Sequence, residues 1–184
     1  YDVVLTEDMI RVSRELDSVV RKKLKAAPNY TRLIVKDRFF TGYLGEFVAL
    51  EWFKKAGLHG RHDVKATGNS EASEFVITRP DGSEVAVEVK TAGSRSYQLC
   101  MMPEAQRLDF DVLVAVKLDL PKNRAEVCGW DWVAEVRRWP IKVFPPHGIM
   151  TRYQPLNLLR PMSTFHSQAL APKVPRETTE GTQS

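Results

Sequence analysis

The feature that most constrains this chain is a sharp reversal at Arg79-Pro80-Asp81-Gly82-Ser83. Pro presets φ for the first turn position, Asp bonds the backbone just ahead of it, and Gly accepts positive φ. The runs on either side, Ser73-Glu74-Phe75-Val76-Ile77 and Val85-Ala86-Val87-Glu88-Val89-Lys90, are rich in β-branched and aromatic residues, so an antiparallel hairpin is expected. Its register follows by counting. With Pro80, Asp81 and Gly82 as the loop, Arg79 faces Ser83 and Glu74 faces Glu88; a loop one residue shorter or longer shifts this by one position. Glu88 and Lys90 share a face because strand side chains alternate with period two. Two carboxylates and an amine thus meet at the open end of the hairpin, the outline of a metal site. The plain alternative makes Glu84, Glu88 and Lys90 the wet face of a half-exposed strand. Against it stands the run Thr91-Ala92-Gly93-Ser94-Arg95-Ser96, small and basic, and suited to approaching a phosphate chain through Ser94 and Arg95.

The order of acids along the chain extends the pattern. A helix is expected over residues 41–56, ended by Gly57 as its C′ residue, and a wheel at about 100° per residue groups Glu46 with Gly42, Tyr43, Ala49, Leu50 and Phe53. A carboxylate on such a face needs a partner or it takes up a proton. Its partner is either an Arg or Lys in a purely structural pair, or a functional centre. Past the hairpin, Asp111-Val112-Leu113-Val114-Ala115-Val116 opens a nearly continuous apolar run over residues 111–120, expected to be a central strand buried on both faces. Pro121-Lys122-Asn123 turns it into a further strand over 124–132 that contains Val127-Cys128-Gly129-Trp130. Between Lys90 and Asp111 a crossover is required if the flanking strands are parallel, and Pro103-Glu104-Ala105-Gln106-Arg107-Leu108 reads as its short helix.

Taken in order, Gly42-Tyr43-Leu44-Gly45-Glu46, then Ser73-Glu74-Phe75-Val76, then Glu88-Val89-Lys90-Thr91, then two more strands, the chain resembles the PD-(D/E)XK nuclease superfamily over residues 41–132. The resemblance implies an α/β fold with a restriction-endonuclease-like core: a mixed β-sheet of about five strands flanked by helices, here with an added N-terminal helix and an irregular C-terminal segment. It implies a metal-dependent nuclease, a DNA endonuclease first of all. Glu74 stands where the superfamily usually has Asp, and no Pro precedes it; the longer side chain still reaches a metal, with altered geometry. The literal Pro80-Asp81 pair belongs to the turn. Asp81 lies seven positions from Glu88, on the order of 23 Å along an extended strand, too far to share a cation with it. Asp63 is a weaker substitute for Glu74 because it needs a much longer connection.

The chemistry expected of such a site is phosphodiester hydrolysis, which requires positive charge at the non-bridging oxygens and a nucleophile at neutral pH. Mg²⁺ or Mn²⁺ would be held by oxygen ligands: Glu74, Glu88, the backbone carbonyl of Val89 implied by the resemblance, and Glu46 as an outer ligand or orienter of the attacking water. Lys90 would act beside that water, as an electrostatic stabiliser or, if desolvated, as its base. Carboxylates gathered without a cation repel one another, so Glu88→Gln is expected to abolish cleavage and leave the metal-free protein as stable or more so.

The rest of the chain fits one unit over residues 1–170 and a disordered tail over 171–184, where Pro, Thr, Glu, Gly and Gln show no apolar period. Residues 6–25 read as an amphipathic helix with Thr6 as N-cap, residues 29–40 as a connector, residues 141–148 as a loop, and residues 153–162 as an extended piece and short helix packing back. The chain of 184 residues is 43% hydrophobic and has no stretch of about 20 apolar residues. No membrane span or signal peptide is read from it, and a soluble, intracellular, cytoplasmic protein is expected. It begins at Tyr1, which reads as a trimmed or partial sequence. Cys100 and Cys128 form no CxxC pattern and read as small core residues. Twenty-seven basic against 23 acidic residues give +4 and a pI near 9.1, compatible with nucleic acid as partner. Arg61, Lys65, Ser94 and Arg95 are the expected phosphate contacts, in a monomer or a homodimer.

Three other readings stay open. A four-way-junction resolvase would share the helix acid and the acid-x-Lys strand, and Gly68-Asn69-Ser70 fits it. A catalytically inactive nuclease-fold subunit for DNA binding or assembly would tolerate Glu74 in place of Asp. His59 and His62 with Asp63 would make a nitrogen-ligated metal site of another kind.

Overall fold

The structure is a computed structural model and describes residues 1–25, 38–62, 74–92, 99–144 and 148–171. Its elements run β1 (Asp2–Val4), α1 (Glu7–Lys25), α2 (Arg38–Lys55), β2 (Gly60–His62), β3 (Phe75–Thr78), β4 (Glu84–Ala92), β5 (Leu99–Pro103), β6 (Val112–Asp119), β7 (Arg124–Trp132), α3 (Val133–Val136), β8 (Ile141–Phe144) and β9 (Ile149–Pro155). Six strands form a mixed sheet in the order β1-β7-β6-β4-β3-β2, and β5-β9-β8 form a separate antiparallel sheet. The helix, strand, strand, crossover, strand, strand order expected over residues 41–132 is found with two strands added, β2 before the hairpin and β5 within the crossover.

The hairpin closes as counted. Arg79 N–H donates to Ser83 O (2.7 Å) and Gly82 N–H to Arg79 O (3.0 Å), Gly82 sits at φ 81°, and Phe75 pairs with Val87, Val76 with Ala86 and Ile77 with Val85. The Asp81 carboxylate stays in the turn, accepting from Ser83 N–H at 2.9 Å. Arg79, 4% exposed, has its guanidinium satisfied by oxygens alone: Ser83 Oγ, the Glu84 carbonyl and the Ala169 carbonyl, which fastens the C-terminal segment onto the hairpin.

Helix ends follow local chemistry. Thr6 Oγ1 accepts from Met9 N–H at 3.2 Å, the expected N-cap. Gly57, at φ 70°, ends α2 in a Schellman motif: Leu58 N–H bonds Phe53 O and Gly57 N–H bonds Lys54 O. The helix begins three residues earlier than expected, at Arg38.

Four expectations change. The main sheet has six strands rather than about five, because short β1 and β2 add to its two edges through the registers Val3↔Ala125 and Arg61↔Val76. Among the described residues the crossover from β4 to the parallel β6 holds no helix; Pro103 ends β5, and a turn bond from Gln106 N–H to Pro103 O (3.1 Å) follows it. Residues 141–144, expected to be loop, are β8, paired with β9. The C-terminal segment is therefore less irregular than expected. The connector falls mostly on residues 26–37, outside the described residues, as do 172–184 of the tail.

The two faces of the main sheet carry different layers. Val85, Val87 and Val89 of β4 pack with Leu44, Val48, Ala49 and Phe53 of α2. The alternate residues point the other way: Ala92, with Leu113 and Ala115 of β6, joins Cys100 and Met102 of β5 in a second apolar cluster completed by Val136, Trp139 and Leu159. The helix comes very close to β4 at one point, where a Cβ on Gly45 would lie 1.8 Å from Thr91 Oγ1. Only Gly fits there.

Candidate active site

The register continued one position past β3 sets Glu74 opposite Glu88, on one face, with Lys90 two residues further along. Glu88 pairs in register with Leu113 and Lys90 with Ala115, both in the second apolar cluster, so the acid-x-Lys pair projects toward the β5 sheet. Glu88 is 3% exposed, and its Oε1 accepts from Lys90 Nζ and, at 2.7 Å, from Gln106 Nε2. Glu74 uses Oε2 to accept the Val89 N–H at 2.5 Å. Where the described β3–β4 ladder stops, an acid side chain thus takes over a backbone donor.

Burial first, then the charges of Glu88 and Glu46, push the Glu74 carboxyl well above the usual range, while the Lys90 ammonium and the Val89 bond oppose the rise. Lys90 is pulled both ways: burial would lower its pKa, but Glu88 and Glu74 outweigh it and the amine is raised. It is an ammonium here, not a free amine. That pairing also changes the expectation for Glu88→Gln. Removing this charge takes away the closest counterion of Lys90, so a loss of stability replaces the neutral or favourable outcome.

Glu46 reaches the site from the other layer. It is 9% exposed on α2, and its Oε2 accepts from His62 Nε2 at 3.2 Å. The His62 ring stacks on Phe75 (4.3 Å, 9°) and meets Phe47 edge-on at 5.9 Å. The structural partner of Glu46 is therefore a histidine rather than an Arg or Lys. Tyr43, one turn earlier on α2, has its phenol raised by burial and by the charges of Glu46, Asp17 and Glu74, which ties both layers to one electrostatic neighbourhood.

Of the other expected residues, Arg61 is exposed and 3.6 Å from Glu84, and Lys65, Ser94 and Arg95 lie outside the described residues. The nitrogen-ligated alternative does not assemble among the described residues: His59 is exposed, His62 is turned to Glu46, and Asp63 lies outside them. Cys100 is buried beside Lys90, and burial pushes its thiol up to about 12. Sequence reasoning missed two partners. Gln106 has no signal in the sequence, because its contact depends on the path of the crossover. His62 had one signal, Gly60, whose Cβ would lie 2.2 Å from Val76 O; Gly in a strand often marks the close approach of another backbone.

Among the described residues no three His, Cys, Asp or Glu side chains stand together as a ready set of metal ligands. Glu74 and Glu88 nevertheless offer hard oxygen donors whose mutual repulsion Lys90 and the Val89 N–H offset only in part, and the Oε2 of Glu88 takes no hydrogen bond from a described residue. Two carboxylates with water completing the shell is the usual demand of Mg²⁺, so the residues fit such an ion.

No protein-family model matches the chain, and no curated protein matches it. Among solved structures, a bacterial homing endonuclease matches 65% of this chain and 76% of its own, at 14% identity and a TM-score of 0.41. A superposition that loose transfers neither residues nor activity, and none is transferred.

Proposed function

We propose that this protein is a metal-dependent nuclease of the PD-(D/E)XK type that hydrolyses phosphodiester bonds, in DNA before RNA. The observation that carries the reading is the meeting of Glu74, Glu88 and Lys90 at one hairpin end, with the Glu74 carboxyl raised by burial and by the neighbouring acids. Acids held together against their own repulsion are what a divalent cation relieves.

Glu74 and Glu88 would hold Mg²⁺ or Mn²⁺, with the Val89 carbonyl as a further oxygen and Glu46 behind them. The ion, when bound, supplies positive charge to the phosphate oxygens and lowers the pKa of water. Lys90 remains an ammonium while both acids face it and so stabilises the charge that builds on the phosphate during attack. Water oxygen forms the new bond to phosphorus and gives its proton to solvent, one P–O ester bond breaks, and the leaving oxygen takes a proton from solvent. Glu46, fixed by His62 and the Phe75 ring, orients groups on the far side of Glu74.

The test is incubation of wild type and Lys90→Ala with linear, nicked, single-stranded and branched DNA and with RNA, in Mg²⁺, Mn²⁺ or chelator. Cleavage by wild type that needs the cation and is lost in Lys90→Ala supports the reading. Preference for the branched substrate would mark a junction resolvase. Salt-sensitive DNA binding that survives chelator, with no cleavage in either ion, would replace the nuclease with a binding subunit.

A further inference from the structure

Gln106 enters the site from outside the hairpin. It sits on the turn just after β5, which pairs with β9 in the second sheet and not with the strands that carry the acids. From there Nε2 donates to Glu88 Oε1 at 2.7 Å, the same oxygen that Lys90 Nζ grips. A carboxylate only accepts, so the NH₂ end of the amide must face Glu88.

Two donors on one oxygen have a directional consequence. They fix the rotation of the Glu88 carboxylate and leave Oε2 without a hydrogen bond from any described residue. Lys90 alone holds Oε1 with a flexible four-carbon stem; the short planar amide on a second element adds a second direction. Gln106 is also neutral, so it constrains the carboxylate without cancelling the negative charge a cation needs.

We infer that Gln106 is a positioning residue that turns Glu88 so its free oxygen is presented to a divalent cation; this rests on the metal-dependent reading above. Residues that orient ligands in this way set metal affinity by about 10–100-fold. Because Gln106 is only partly buried and lies in a turn, replacing it does not open the core.

The experiment is Mn²⁺ binding, read by electron paramagnetic resonance of the free ion, on wild type, Glu74→Gln, Gln106→Met and Gln106→His, with thermal melts in chelator. Gln106→Met keeps the length and removes the donor; Gln106→His returns an N–H. The expected result is Mn²⁺ affinity about tenfold or more weaker in Gln106→Met, partly restored in Gln106→His, with metal-free melting temperatures within about 2 °C of wild type. Wild-type affinity in Gln106→Met, while Glu74→Gln abolishes binding, overturns this inference and leaves the nuclease reading standing. Affinity and melting temperature falling together in both Gln106 variants would make the residue merely structural and also overturn it. No Mn²⁺ binding by wild type overturns the inference and the metal-dependent reading at once.

Discussion

Two buried acids in this fold are treated in opposite ways. Asp131 of β7 is 6% exposed; Trp139 Nε1–H donates to one of its oxygens at 3.3 Å and Arg160 Nε–H to the other at 3.4 Å. Burial raises its pKa, and those two donors pull against the rise. Glu74 is also raised by burial, but its next-largest influence is another carboxylate, Glu88. One acid is surrounded by what it needs; the other is set against its own kind. The contrast separates a buried acid whose donors are supplied by the fold from one whose next-largest influence is a second acid.

The largest expected difference is in cleavage. Lys90→Ala or Glu88→Gln should reduce nicking of plasmid DNA in Mg²⁺ by about a thousandfold, whereas Asp131→Asn should stay within about threefold. Comparable losses from Asp131→Asn would erase the distinction.

Stability should separate Asp131 from Glu74 in the opposite sense. Asp131→Ala leaves Trp139 and Arg160 without their acceptor and should cost about 2 kcal/mol, a fall of several degrees in melting temperature. Glu74→Gln, melted in chelator, should equal or exceed wild type, since it removes a charge that burial and two acids oppose. A lower melting temperature for Glu74→Gln would place that acid in the same class as Asp131.

A smaller effect is expected from Gly45→Ala. The new methyl meets Thr91 Oγ1 and Cβ, so α2 must move off β4, at a cost of about 1–2 kcal/mol. Glu46 moves with it and cleavage should fall, with Asp131 untouched. The double variant Gly45→Ala, Thr91→Ala should recover part of both; no recovery would mean that the contact is not what positions the helix.

The smallest effect is in pH dependence. Glu74 has a folded pKa above its unfolded value of about 4.3, so its contribution to stability is fully present below that value and is lost as pH rises through the folded pKa. Denaturant titrations in chelator should show stability declining as pH climbs from the mid-fours, with Glu74→Gln flattening the slope more than Asp131→Asn. Equal slopes would say that the neighbouring acids do not matter.

What could be read ahead of the structure was local. The turn chemistry at Pro80-Asp81-Gly82 set the register down to Phe75↔Val87 and so brought Glu74 level with Glu88, Gly57 marked the end of α2, and the bounds of β7 were legible from Asn123 and the apolar run before it. What could not be read was non-local. Leu99–Pro103 and Ile141–Phe144 become strands only because β9 runs between them, and neither has the length or alternation to declare itself. The site divides along the same line: Glu74, Glu88 and Lys90 come from one hairpin and could be counted into place, whereas the bonds from His62 to Glu46 and from Gln106 to Glu88 join residues 16 and 18 positions apart that no single turn rule sets in register.

The placement of β5 inside the β4 to β6 crossover gives the chain an order of assembly. As it is synthesised, β4, β6 and β7 are all complete by Trp132, and the main sheet can close around the acids. β5 must wait for residues 149–155 before its hydrogen-bonding partner exists. Until then the turn that bears Gln106 lacks the hydrogen-bonded ladder that holds β5, so a nascent or truncated chain ending before β9 would carry the acids and the lysine on a formed sheet but hold the brace that aims them only by apolar packing.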